Sequence, residues 1–178
     1  LFAAKEQEIS KTGQAVLSDL IKNAEIASET PCPICQDTGM AVVFVKIGQD
    51  VKIEGGWIED AIHRGVARGY KEGYLRASVV SDPLLRQNTN DNTPAVVHYQ
   101  IVPGGQLRLI VAPKGFGSEN MSAARMLSPS EGEKGLFRFV LETVEKAGPN
   151  PCPPVVIGIG LGGTLEKAAI LAKEALLV

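Results

Sequence analysis

The chain has 178 residues, of which 44% are apolar and 21% are charged, and its formal net charge is −2. This length allows one domain with a hydrophobic core, or two small lobes that share one, and the balanced charge gives no basic surface of the kind that binds nucleic acid. No apolar run reaches the ~20 residues that span a bilayer and no signal peptide opens the chain, so we expect a cytoplasmic protein.

The apolar pattern predicts helices and strands in mixed order. An amphipathic helix over 11–29 leads through the proline-rich "ETPCPIC" to a buried strand, "MAVVFVKIG". A second helix over 57–75 carries apolar residues at steps of four. The long loop that follows, 76–94, is dense in Asn, Asp, Thr and Pro, and a loop of this length is often functional.

The second half of the chain adds strands, a turn and two more helices. "AVVHYQIV" and "QLRLIVAP" flank "PGG", a pattern typical of a β-hairpin, and the glycine-rich turn "KGFGSEN" comes next. We predict a helix from about Pro129 to Ala147, a short strand "VVIGI", and a last helix from near Gly163.

Together these elements predict an α/β (mixed α+β) fold, in which sheets with a β-hairpin are flanked by helices. We expect a single domain, or a single domain made of two small lobes. The hairpin argues against a doubly wound parallel sheet. We expect four polar loops to gather at one edge: 31–39, 76–94, 114–120 and 148–154.

The three cysteines are too few for a secreted disulfide scaffold, so metal binding or free thiols are expected. Cys32 and Cys35 form C-x-x-C, but the chain adds only Cys152 and two histidines, His63 and His98, which we expect on solvated faces. A redox dithiol would precede a helix, whereas this pair precedes a strand.

Cys35 and Cys152 lie in similar settings, because each sits in a proline-punctuated loop beside a short apolar strand, in "PICQDTG" and "NPCPPVV". This likeness predicts that their thiolates converge on one site with an open metal position, where a substrate oxygen could bind. A structural zinc domain that uses Cys32, Cys35 and Cys152 remains the alternative.

Other motifs could bind anions. "KGFGSEN" offers backbone N–H groups free of bulky side chains, and Arg76 and Arg86 bracket the long loop with guanidinium groups that can grip carboxylates. "GIGLGGT" matches the dinucleotide fingerprint G-x-G-x-x-G, so a nucleotide-binding module is a further alternative. Because no βαβ unit surrounds this motif, close packing of a strand on a helix explains its glycines more simply.

Five ordered segments, "PICQDTGMAVVFV", "GYLRASVVSDPL", "NTNDNTPAVVH", "APKGFGSENMS" and "AGPNPCPPVVIGIGLGGT", resemble the α subunit, or N-terminal half, of the class I iron-sulfur fumarate hydratases and their tartrate dehydratase relatives. The resemblance runs from about residue 13 to the end. It implies a 4Fe-4S cluster held by three cysteines, with one iron open to substrate. Cys35 and Cys152 match two of the ligands, and Cys32 matches none.

The third cysteine ligand, with a histidine a little before it, has no match, so we expect it after Val178. The resemblance thus makes residues 1–178 one fragment of an N-terminal catalytic domain, inactive alone. The implied partners are a β subunit or C-terminal domain and a small dicarboxylate substrate, in a homo- or hetero-oligomer.

The resemblance also implies substrate contacts. Gln36 and Asp37 match the family pair beside the cluster, Arg76 the arginine of its LR motif, and Gly117 the last glycine of its KGGGSEN-like turn. Gln36 would bind the substrate hydroxyl, Arg76 and Gly117 a carboxylate, and Asp37 would support proton transfer. The implied reaction is reversible hydration of fumarate to malate, or dehydration of a hydroxy-diacid such as tartrate. Phe116 stands where the family more often has glycine.

Overall fold

A computed structural model describes residues 1–177 and confirms the mixed α/β class, with a three-stranded sheet flanked by helices. The predicted helices over 11–29, 57–75 and 129–147 are present with ends that shift by at most a few residues. In chain order, the elements are α1 Phe2–Gln7, α2 Lys11–Glu29, β1 Met40–Gly48, α3 Ile58–Glu72, β2 Val96–Val102, β3 Leu107–Lys114, α4 Phe116–Glu119, a 3-10 turn Pro129–Glu131, α5 Gly132–Ala147, α6 Leu165–Glu174 and a 3-10 turn Ala175–Leu177.

The predicted hairpin is wrong, because β1 lies between the two strands that were expected to pair. Val43 of β1 is opposite Val97 of β2 in a parallel ladder and opposite Val111 of β3 in an antiparallel one. The physical reason is burial: β1 is an almost unbroken apolar run that is buried on both faces, and such a strand is most stable at the centre of a sheet.

The link between β2 and β3 therefore crosses the end of β1. The backbone N–H of Gly48 donates to the Gln106 carbonyl oxygen at 2.8 Å, and that of Gln49 donates to the Val102 carbonyl oxygen at 2.8 Å. A side chain at Gly48 would overlap the Gly104 carbonyl oxygen, so the crossing needs glycine there.

Helix α3 covers one face of the sheet. Its residues Ile62, Val66 and Tyr70, spaced four apart, pack against Ala41, Val43 and Val45 of β1. The helix leaves β3 partly bare, and an apolar groove of about 550 Å³ runs between them, lined on its strand side by Leu107, Leu109 and Val111.

The predicted strand "VVIGI" is also wrong: residues 155–159 join no ladder in the described part of the chain. Gly158 and Gly160 instead press on α6, where a Cβ would overlap the carbonyl oxygens of Ala172 and Ala168 respectively. The packing interpretation of "GIGLGGT" therefore accounts for both glycines.

Both histidines are half-buried, whereas solvated faces were expected. His98 stacks on Phe44 with ring centroids 5.0 Å apart, because the two residues are neighbours on adjacent strands. His63 is half-buried, and its Nε2 is shielded from solvent without a hydrogen-bond partner in residues 1–177. Across those same residues, none of the helices combines the length and the apolarity that crossing a membrane requires.

Candidate active site

The cysteine loop, residues 31–39, joins the end of α2 to β1. It turns into the strand at Gly39, whose φ of +53° is rarely adopted by residues with a side chain. A Cβ here would also overlap the backbone carbonyl oxygen of Lys114 at the end of β3. Glycine thus brings the cysteine loop against the start of the 114–120 turn.

Cys35 and Cys152 meet at the edge of the sheet. Their Sγ atoms are 2.7 Å apart although the residues are separated by 117 positions, and both are free thiols because a disulfide bond is only about 2.05 Å long. The backbone N–H of Asp37 also donates to the Cys35 sulfur, at 3.4 Å. The predicted convergence of these two side chains is therefore observed.

Cys35 affects the ionisation of Cys152. The hydrogen bond with Cys35 raises the pKa of the Cys152 thiol, and burial and the nearby charges of Cys35 and Asp37 raise it further. The pair therefore resists becoming two adjacent thiolates. A metal cation bound between the sulfurs would reverse this preference, since it stabilises both thiolates.

Asp37 is fixed by the glycine-rich turn. The Gly117 N–H donates to its Oδ2 at 2.9 Å, so the turn already binds a carboxylate, that of the protein itself. Phe116 does not prevent this, because residues 116–119 form one helical turn, α4. Side chains would not fit at Gly115 or Gly117: a Cβ at Gly117 would lie 2.6 Å from the Asn150 carbonyl oxygen, in the loop that carries Cys152.

Arg76 and Gln36 lie beside this cluster of loops with exposed side chains. The Thr38 hydroxyl donates to the Arg76 carbonyl oxygen at 3.4 Å, which brings the start of the 76–94 loop to the cysteine loop. The amide oxygen of Gln36 is 3.5 Å from the Cys35 sulfur. By contrast, no hydrogen bond or ion pair within the described residues joins Arg86 to the cysteine loop.

The fumarate hydratase (Fumerase) family model matches residues 1–178. The chain belongs to the fumarate hydratase family. It is 44% identical over 183 residues to the putative L(+)-tartrate dehydratase subunit alpha of Methanocaldococcus jannaschii, covering 99% of this chain and 64% of that protein. It is 30% identical over 177 residues to the L(+)-tartrate dehydratase subunit alpha of Escherichia coli strain UTI89, covering 97% and 58% respectively. The chain thus spans about three fifths of the length of these curated relatives.

The donor set of this fumarate hydratase family chain suits part of an iron-sulfur centre. Cysteine thiolates are the usual ligands of such clusters, and Cys35 and Cys152 place two of them together. Among residues 1–177, however, no three side chains of Cys, His, Asp or Glu are arranged so that they could hold a metal ion, and Cys32 is exposed. These residues therefore do not form the closed zinc site that was the alternative, and a cluster here needs a further ligand.

Sequence reasoning missed two features of the site in this fumarate hydratase family member. One is Asn92, a fully buried amide within "NTNDNTP", where only burial separates it from its neighbouring asparagines. The other is Glu119 of α4, which pairs with Lys114 at 3.6 Å and also contacts Lys173 of α6. Two half-buried lysines therefore share one glutamate beside the glycine-rich turn.

Proposed function

We propose that this chain supplies two cysteine ligands and several substrate contacts to an iron-sulfur hydro-lyase that hydrates fumarate reversibly or dehydrates tartrate. The observation that carries the proposal is the 2.7 Å contact between Cys35 and Cys152, from two loops that match ligand motifs of the family. The names of the relatives, tartrate dehydratase subunit alpha, favour the same chemistry.

In this proposal Cys35 and Cys152 hold a 4Fe-4S cluster together with a third cysteine from outside the chain. The cluster would supply Lewis-acid chemistry to a hydroxyl group that is otherwise a poor leaving group. Cys32, which is exposed and does not meet the other two, has no role in binding it.

The other polar residues would bind and orient the diacid. The exposed Arg76 guanidinium can pair with a carboxylate through two parallel hydrogen bonds, and the Gln36 amide, beside the Cys35 sulfur, can hydrogen-bond the substrate hydroxyl. Asp37 would support proton transfer by orienting a histidine from outside the chain, since the Gly117 N–H fixes the position of its carboxylate.

The active site is therefore shared. A β subunit or C-terminal domain would complete it, which is consistent with the longer relatives named subunit alpha. We expect the 178 residues alone to hold no stable cluster and to show no turnover of fumarate or tartrate, because they contribute too few ligands. Hydratase activity of the isolated chain after anaerobic reconstitution with iron and sulfide would contradict this division of the site.

The ligand assignment is tested by reconstituting the full-length α chain with its β partner anaerobically. Cys35→Ser or Cys152→Ser is expected to abolish the oxygen-sensitive visible absorbance and the bound iron, whereas Cys32→Ser, the matched control three residues away, keeps both. Fumarate and L(+)-tartrate are then assayed with the intact enzyme. If Cys32→Ser also lost the absorbance, the assignment of Cys35 and Cys152 as the two ligands would be wrong.

A further inference from the structure

Asn92 uses its amide to connect residues 78–79 with Gly39, the last residue of the cysteine loop. Its Oδ1 accepts hydrogen bonds from the backbone N–H groups of Ser78 at 2.7 Å and Val79 at 2.9 Å, and its Nδ2 donates to the Gly39 carbonyl oxygen at 2.9 Å. The side chain is completely buried, and the backbone φ is +60°, a conformation that asparagine tolerates better than most residues.

Tyr70 holds the preceding carbonyl of the same loop. Its hydroxyl donates to the Thr38 carbonyl oxygen at 2.9 Å, while its ring packs in the core under α3. Two successive carbonyls, those of Thr38 and Gly39, are thus fixed by side chains from outside the loop. Within the loop, the one backbone bond near these residues runs from the Thr38 N–H to the Gln36 carbonyl oxygen at 3.0 Å.

We propose that Asn92 is a positioning residue, which sets the place of Cys35, Gln36 and Asp37 relative to the segment that begins at Arg76. The amide acts through the backbone: it holds Ser78 and Val79 on one side and Gly39 on the other. Its consequence for catalysis rests on the proposed hydro-lyase function, but the geometric part does not, because Cys35 must also be held against Cys152 in the chain alone.

Asparagine is the side chain whose donors and acceptors match this position. An ionised aspartate would still accept from Ser78 and Val79, but it would face the Gly39 carbonyl oxygen with a lone pair instead of a donor. Alanine would leave three buried backbone groups without partners. At a pH high enough to ionise the new carboxyl group, Asn92→Asp therefore removes the bond to the cysteine loop and keeps the shape of the side chain.

The test measures how closely Cys35 is held against Cys152. In the 178-residue chain carrying Cys32→Ser, glutathione disulfide forms a mixed disulfide with one thiol and releases one glutathione; the second thiolate then displaces the other glutathione and closes the Cys35–Cys152 disulfide. Mass spectrometry of samples quenched with acid gives the rate of this closure, which depends on how often the two sulfurs meet. Circular dichroism verifies that each variant is folded at the assay temperature.

We expect Asn92→Asp to slow the closure about tenfold, the factor that corresponds to one buried hydrogen bond. Asn90→Asp makes the same chemical change at an exposed neighbour in the same loop and is expected to close at the rate of the parent chain. If folded Asn92→Asp closed as fast as Asn90→Asp, the proposal would be overturned. If Asn92→Asp does not fold, Asn92→Ser decides instead, because the single short hydroxyl of serine cannot reach both Ser78–Val79 and Gly39; slower closure is expected, and an unchanged rate would overturn the proposal.

The catalytic consequence is measured in the full-length α chain with its β partner. Asn92→Asp is expected to lower kcat while the cluster absorbance is retained, which a general loss of folding would not do. Lack of hydro-lyase activity in the unmodified enzyme would contradict the proposed function, and the closure rate would still decide the positioning role. Normal kcat in Asn92→Asp would contradict the catalytic consequence.

Discussion

Tyr70 links the hydrophobic core to the candidate active site within one side chain. Its ring packs with Ile62 and Val66 against β1, and its hydroxyl holds the Thr38 carbonyl oxygen. Burial raises the pKa of the Tyr70 hydroxyl; the nearby Asn92 amide lowers it by less, and the negative charge of Asp37 raises it further. The neutral form of Tyr70 is therefore the form that stabilises the fold.

This shift predicts a loss of stability at alkaline pH. Because the pKa in the folded chain lies above the unfolded value near 10, the contribution of Tyr70 is complete below pH 10 and decreases as the pH rises through the folded value. The difference in free energy of unfolding between the parent chain and Tyr70→Phe, from urea titrations at pH 8 to 11, should be constant up to about pH 10 and then shrink. A difference that stayed constant to pH 11 would contradict a raised pKa.

At the residue scale, the sequence was informative where the residue type and its neighbours in the chain indicate a chemical role. Cys35 and Cys152 could be paired because both stand in proline-punctuated loops, and they do meet. Asn92 could not be selected, because the same stretch holds Asn88 and Asn90, and only the folded chain buries one of the three. The contact of Gly117 with Asp37 was also hidden, since it joins segments 80 residues apart.

At the scale of elements, local sequence patterns predicted which segments form strands better than they predicted which strands pair. The apolar runs of β1, β2 and β3 were recognised, but "PGG" suggested a hairpin because the sequence does not reveal that β1 inserts between the other two. "VVIGI" has the composition of a strand, but the segment packs directly on α6 through Gly158 and Gly160 instead of joining a sheet.

That packing gives a prediction for Gly160→Ala. The added methyl group would overlap the Ala168 carbonyl oxygen, so segment 155–161 and α6 must separate. We expect a loss of about 2 kcal/mol or more in the free energy of unfolding and faster hydrogen exchange of the α6 amides. Gly105→Ala, at a glycine with no neighbour within 4 Å of the added Cβ, is the control and should change both measurements little.

At the scale of the whole molecule, the predicted gathering of four loops is observed. The cysteine loop contacts the 114–120 turn through Asp37 and Gly117, the 148–154 loop through Cys35 and Cys152, and the 76–94 loop through Gly39 and Asn92. These contacts connect the four loops at one edge of the sheet. The groove beside α3 was not predicted, because it depends on which half of the sheet the helix covers.

The groove predicts that the chain binds hydrophobic dyes while fully folded. Leu109 is 45% exposed in its lining, and the groove has apolar residues on both sides. We expect anilinonaphthalene sulfonate to fluoresce with the native chain and Leu109→Glu to reduce the signal at least twofold. Leu84→Glu changes a leucine that is 89% exposed outside the groove, and an equal reduction in that variant would contradict binding in the groove.

The strand order β2-β1-β3 has a consequence for synthesis on the ribosome. The apolar run "AVVFV" of β1 emerges first, and neither of its partners is close in sequence, so the strand has no local hairpin to join. It must remain unpaired until α3, the long polar loop and at least β2 have followed. During that interval β1 is an exposed apolar strand, which is prone to aggregation and is a segment that a chaperone would shield.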